Sequence, residues 1–469
     1  MIPQNGGPAP AGSQAVVIGA SLAGLLAARV LADRFDQVTL VDRDRLPDGA
    51  EPRKGLPQAR HLHILLVRGQ QLLEGLFPGI LEELQAAGAA FLDAGEDFPW
   101  LGPAGWGVRF RAGLKLLCCS RDLLDWVVRR RVMGLERLQV CAESEVVDLI
   151  AAPGNRAVGG VVLRDRRHGM SARLAADLVV DASGRNSKAG GWLVGLGYPV
   201  AEQTVVDAHL GYATRIYRRA ESRGDDWRGA YVQAAPPSRV RGAVLLPIEG
   251  QRWMLTIAGG SSDYPPIAEA GFDDFVRSLA SPVIQTMLRQ AEPLSAIAGY
   301  RGTENRWRHY ERLPRWPDGF VVLGDAACCF NPVYGQGMTL AALGATALGE
   351  LLDRHRGESG LAQRFQQELA RISRGPWQLA TGQDRRFPGV EGVQPSTWSH
   401  LIEGYLDRLT GLATHDPALR RQFLEVLHLV QPMSVLFRPA LVARVLLSPR
   451  RERGPAPAMP VWPPLAEGR

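Results

Sequence analysis

Lysine is nearly absent: only Lys54, Lys115 and Lys188 stand among 54 basic residues, set against 48 acidic ones for a formal net charge of +6. Arginine carries the excess. No Lys/Arg run exceeds three residues and no basic patch is interleaved with aromatics, so no nucleic-acid surface is expected. Cysteine is scarce as well. Cys118, Cys119, Cys141, Cys328 and Cys329 are odd in number and form no C-x-x-C pair, which excludes a disulfide framework and a zinc site of that spacing. His61 and His63 stand two apart with no third ligand close by, so no metal is expected. No stretch of about 18 apolar residues occurs, which argues against a transmembrane segment. Residues 1–14 are Pro/Gly-rich without an apolar signal core. These absences point to a cytoplasmic, reducing location. There are no internal repeats.

What is present is a globular composition, 46% hydrophobic and 22% charged over 469 residues, enough for two or three domains. Two glycine-rich stretches, roughly 300 residues apart, organise it. In the first, residues 15–18 read as a buried parallel strand, followed by Gly19-x-Ser21-x-x-Gly24, an apolar helix over 22–35, a second strand over 38–41, and Asp42. This is the order of a dinucleotide-binding βαβ unit. Gly19 permits the turn, Gly24 lets helix pack on strand, and the free N–H groups of the helix start face a pyrophosphate. Ser21 stands where a second glycine is usual. Asp42 can accept both ribose hydroxyls and disfavours a 2′-phosphate; Arg43 follows it at the strand end.

In the second stretch a buried strand over 320–323 ends in Gly324-Asp325, and Pro332-x-x-Gly335-x-Gly337 leads into a helix from Met338 to Arg354. Asp325 is placed to accept from a ribityl chain. The helix start at Gly337 and Met338 aims its positive end at whatever lies before it, and the glycines leave room for a flat ring. The two stretches together imply FAD, held at both ends. Between them, the loop over 51–63 sets Arg53 and Lys54 against the cofactor or the flavin edge. Ser120 caps a helix whose first residue, Arg121, is favoured there only by a nearby anion.

Strands are predicted over 138–142, 145–151, 158–164 and 178–180, the last ending in Asp181-Ala-Ser-Gly184. From 201 to 312 the pattern becomes antiparallel, with strands over 209–217, 230–234, 243–248 and 253–258, a hairpin at Glu249-Gly250-Gln251-Arg252, one helix over 272–291 and a strand over 297–300. Trp100, Trp106 and Phe110 lie in a strand pair or an aromatic core. Helices follow over 397–412, 418–430 and 434–447, then a Pro/Arg-rich end.

With these residues in hand, the chain resembles the single-component flavin monooxygenases of the para-hydroxybenzoate hydroxylase type (group A), from residue 16 to about 380. Gly19-x-Ser21-x-x-Gly24 with Asp42, Asp181-Ala-Ser-Gly184, and Gly324-Asp325 with Pro332-x-x-Gly335-x-Gly337 fall in family order, the middle one departing from the usual Asp-Gly form. Arg53-Lys-Gly-Leu-Pro-Gln-Ala-Arg-His-x-His, Cys119-Ser-Arg-x-Leu-Leu-Asp-Trp126 and Asn331-Pro-Val-Tyr-Gly-x-Gly-Met338 look like the flavin epoxidases of ionophore polyether biosynthesis in actinobacteria; the tail from residue 387 looks more like other flavin monooxygenases. The resemblance implies an α/β fold: a Rossmann-like FAD-binding domain of glutathione-reductase type (1–75, 114–200, 313–386), an antiparallel-sheet substrate domain (76–113, 201–312) and a helical C-terminal region (387–469). It implies NAD(P)H as co-substrate, with NADPH and NADH both compatible, dioxygen, and a flavin C4a-hydroperoxide that epoxidises alkenes of an apolar, polyketide- or polyene-like secondary metabolite, as in antibiotic biosynthesis. Aromatic or aliphatic hydroxylation and a non-redox flavoprotein cyclase are the alternatives. A flavin halogenase normally carries Trp-x-Trp-x-Ile-Pro and a pocket lysine, which Trp100, Trp106 and three lysines do not match. Arg53 and Lys54 are the expected residues steering the flavin, and Gln58, His61 and Trp106 the pocket candidates.

Overall fold

The computed structural model describes residues 12–219, 228–392 and 397–449; the Pro/Arg-rich end at 450–469 and most of the Pro/Gly-rich start lie outside the described residues. Apolar, β-branched runs form a five-stranded sheet in the order Phe320–Val322, Leu178–Asp181, Gln14–Ile18, Gln37–Val41, Leu138–Cys141. Every pairing in it is parallel. Ile18 is level with Val41 and Asp181, and Asp181 with Val322. The turns that leave these strands therefore converge at one edge, where open α/β sheets bind ligands. Helices Leu22–Ala32, Gly337–His355 and Leu361–Asp384 cover this sheet, and their buried faces share its core.

A second, mostly antiparallel sheet runs Glu292–Pro293, Gly211–Arg218, Arg252–Gly259, Arg241–Ile248, Ala230–Val232, Trp100–Gly102, Gly105–Trp106, with Ala298–Tyr300 also paired to Gly211–Arg218. The hairpin at residues 249–251 joins two of these strands as expected, with Ile248 opposite Arg252. One face is closed by Phe272, Phe275, Val283 and Ile284 against Leu245, Leu255 and Ile257. The single helix expected over 272–291 is two, Glu269–Arg277 and Val283–Leu288. Pro282 is the cause: without an N–H it cannot continue a helix, and it caps the second one instead. On the other face one rung crosses the sheet as Trp100, Tyr231, Val244, Thr256 and Thr214.

Helix Ile80–Ala86, grouped by sequence with the second sheet, buries Ile80 and Leu84 in the first core. At the C-terminal end, helices Thr397–Ala413, Pro417–Leu427 and Pro439–Leu447 share a core of their own. The helix expected over 434–447 begins at Pro439, a residue suited to a first helical position, after a short 3₁₀ turn at Met433–Phe437. Among the described residues no helix is long and apolar enough to cross a membrane.

Candidate active site

The converging turns enclose a cleft of about 400 Å³. Gly19, Ser21, Asp42, Arg43 and Arg121 line it from the first glycine-rich half; Asp325, Pro332, Gly335, Gly337 and Met338 line it from the second; Arg53, Lys54 and Gln58 reach it from the connecting loop. Gly24 sits behind it. A Cβ there would lie 1.7 Å from the Gly19 carbonyl oxygen, so the opening helix packs on its strand only with glycine at this place. Gly19 itself has φ +99°.

Each end has its own electrostatics. Asp42 accepts from the backbone N–H of Ala20 at 2.6 Å and of Asp44 at 2.8 Å, so it braces the first turn as well as facing the cleft. The Arg53 guanidinium is 3.8 Å from Asp42, placing this side chain at the Asp42 end. Its Nε and Nη1 are buried without a hydrogen-bond acceptor. Arg121 pairs with Asp125 at 2.8 Å and donates to the Ser21 hydroxyl at 3.2 Å, so the carboxylate one turn on accounts for part of its place at a helix start. Helix Leu22–Ala32 has no side-chain cap, and neither has Gly337–His355, whereas Arg121–Met133 is capped by Ser120 as expected. Two sets of helix-terminal N–H groups thus open on the cleft with no side chain to satisfy them.

At the other end, burial pushes the Asp325 carboxyl upward while Arg185, Arg121 and Arg308 oppose the shift. Arg308 donates to the Ala326 and Arg185 carbonyls at 3.0 and 2.7 Å. The loop over 331–337 hangs on a buried carboxylate. Asp384 accepts from Asn305 at 2.6 Å, from Asn331 at 3.3 Å and from the Tyr334 hydroxyl, and Tyr212 donates to Asn331. Burial raises the Asp384 pKa to about 6 against those three donors.

Two of the pocket candidates, His61 and Trp106, lie outside the lining of this cleft. His61 does not line the cleft: its Nδ1 pairs with the Thr214 hydroxyl at 2.8 Å, Thr214 pairs with Thr256 at 2.7 Å, and burial lowers the ring's pKa to about 4. It pins the loop to the second sheet. Trp106 is absent from the lining too; it packs against the core on the far face of that sheet, because its strand alternates away from the cleft.

Among the lining residues that sequence reasoning passed over are His63, Arg185, Tyr300 and Gln336. His63 Nδ1 faces the His61 carbonyl at 2.8 Å, which fixes the proton there and leaves Nε2 an acceptor; burial and Arg121 hold its pKa near 4. Arg185, one place beyond Asp181-Ala-Ser-Gly184, pairs with Glu304 at 3.0 Å. Its position straight after that motif was the available signal.

No family model matches the chain. The structure of the flavin-dependent brominase Bmp2 superposes with a TM-score of 0.68 at 15% identity, over 92% of this chain and 98% of that one. The tetrameric form of 2-methyl-3-hydroxypyridine-5-carboxylic acid oxygenase does so with a TM-score of 0.55 at 20% identity, over 79% and 91%. The fold is therefore that of the FAD-dependent monooxygenases and halogenases. Kynurenine 3-monooxygenase of Salinispora tropica is 26% identical over 72% of each chain. Protein Rv3254 of Mycobacterium tuberculosis is 33% identical over 92% of this chain and 93% of its own, and the chain belongs to its family.

Proposed function

We propose that the chain is an FAD-dependent monooxygenase that uses NAD(P)H and dioxygen to oxidise a small organic molecule, with epoxidation of an alkene in a polyketide-like metabolite as its reaction. The observation that carries this is the pair of uncapped helix starts opening on one cleft beside an Arg53 whose buried donors have no acceptor. That donor set fits an extended dianionic cofactor with a ring at one end. In this reading the N–H groups after Gly19 and Ser21, with Arg121, hold the pyrophosphate. Asp42 and Arg43 take the adenosine ribose, and Arg53, beside Asp42, acts on this half rather than steering the flavin. Asp325 takes the ribityl chain, Pro332 and Gly335 leave room for the ring, and the N–H groups of Gly337 and Met338 stabilise its reduced form. Bound FAD would supply hydride acceptance and oxygen activation. The protein's part is to orient the substrate and to exclude water.

Two features favour epoxidation. His63, neutral with a pKa near 4, is a weak base for ionising a phenol, whereas an alkene needs none. No lysine is buried: Lys54 and Lys188 meet the cleft only with exposed side chains, Lys188 pairing with Glu145, and Lys115 is exposed away from it, unlike the pocket lysine of halogenases. The test is direct. Purified protein is yellow, releases FAD on heating, and with a polyene, NADPH and oxygen yields a product heavier by one oxygen. Colourless protein that cannot be reconstituted with FAD overturns the cofactor; a one-oxygen gain at an aromatic ring with the alkenes intact replaces epoxidation by hydroxylation.

A further inference from the structure

Arg420, on helix Pro417–Leu427, is 7% exposed, yet among the described residues no carboxylate pairs with it and no acceptor receives a hydrogen bond from its guanidinium. Its charge centre lies 4.6 Å from the Trp100 ring and 5.9 Å from the Phe423 ring. Across from it is Gly107, where a Cβ would come within 3.0 Å of the guanidinium. Stacking on indole uses the face of the cation. The five N–H donors lie in its plane and are left over. Burial is the one influence acting on its ionisation, and it lowers the pKa to about 10, so no neighbouring charge offsets it. Its nitrogens are not among the fully buried donors that lack an acceptor, so the edge of the fork keeps a route to solvent, and that planar edge matches a carboxylate.

The surroundings indicate what carries that carboxylate. Trp100 is the outer end of the rung Trp100, Tyr231, Val244, Thr256, Thr214, four inter-strand steps or about 19 Å across at the usual strand spacing. Partly buried Trp100, Tyr231, Val244 and Ile64 pack in one apolar cluster, and Ile64 also lines the cofactor cleft. We propose that Arg420, stacked on Trp100, anchors a carboxylate at the distal end of an elongated apolar substrate whose reacting end lies toward the cleft. The substrate role rests on the flavoenzyme reading above; the anion site does not.

Holoenzyme is titrated with decanoate and with decanol, following tryptophan fluorescence, for wild type, Arg420→Met and Arg420→Lys. The expected result is saturable decanoate binding that weakens tenfold or more in Arg420→Met and several-fold in Arg420→Lys, which keeps the charge without the fork, while decanol binding is unchanged. No saturable decanoate binding by wild type, or equal affinity in the variants, overturns the anchor. Should Arg420→Met not fold, Arg420→Lys decides alone by the same criterion. Flavin absorbance of the same wild-type sample is read separately: colourless protein that still binds decanoate through Arg420 refutes the cofactor and leaves the anchor standing.

Discussion

Arg53 is an anomaly, a buried guanidinium whose Nε and Nη1 have no acceptor. Neighbouring lone pairs normally absorb such donors, because each one left unmade costs about 1–3 kcal/mol. Arg53 has Asp42 beside it at 3.8 Å, close enough for charge but too far for a hydrogen bond. Its Nε and Nη1 are therefore free for a ligand oxygen. Arg53→Met, which keeps the side chain's length, is expected to weaken FAD binding by roughly 10- to 100-fold, the worth of one charge-assisted hydrogen bond. Equilibrium dialysis of apoprotein against FAD measures this, and an unchanged dissociation constant would remove Arg53 from the cofactor site.

At the scale of elements, the site is made by strand ends and helix starts, and these were the legible parts. The runs at 15–18, 38–41 and 320–323 announce themselves by continuous apolar residues, and Gly19, Gly24 and Asp42 by spacing alone. Helix Leu361–Asp384 was not legible. Its Pro376 interrupts the pattern, and the residue that matters in it, Asp384, bonds to Asn305, Asn331 and Tyr334, partners no spacing rule connects. The role of His61 was not legible for a related reason, since a histidine lining a substrate pocket and one pinned to Thr214 look alike in a loop. The physical content of the helix is that it fixes the loop over 331–337 from behind. Asp384→Ala leaves three donors without their acceptor and is expected to cost about 3 kcal/mol or more, with weaker FAD binding. Asp384→Asn, keeping one oxygen, is expected to cost less. Urea unfolding ranks the two, and an Asp384→Ala midpoint equal to wild type would show that the loop is held by something else.

Over the whole molecule, buried titratable groups tie stability to pH, and the C-terminal helices enter through one of them. His428 closes helix Pro417–Leu427, receives the Val67 N–H on Nδ1 at 3.4 Å, and offers its carbonyl to the Arg68 N–H at 3.2 Å, docking the C-terminal unit onto helix Val67–Leu76. Burial lowers its pKa to about 4, as it does for His61 and His63. The unfolded chain protonates these rings near pH 6.5 while the folded one refuses until about 4, so folding is favoured above that window and stability falls as pH drops through it. Asp122 and Asp384, both raised to about 6, act in the opposite sense. They are protonated in the folded state before the unfolded one, so below about pH 6 they offset two of the three histidine protons. Acidification from pH 7 to 5 should therefore destabilise the protein with a slope of about one net proton rather than the three that the histidines alone would give. His428→Gln is expected to flatten the profile by one proton, about 1.4 kcal/mol per pH unit across the window, as measured by urea midpoints between pH 7.5 and 5. Superimposable profiles for variant and wild type would mean that His428 titrates in the fold as it does in the open chain, and that the C-terminal helices dock without its neutrality.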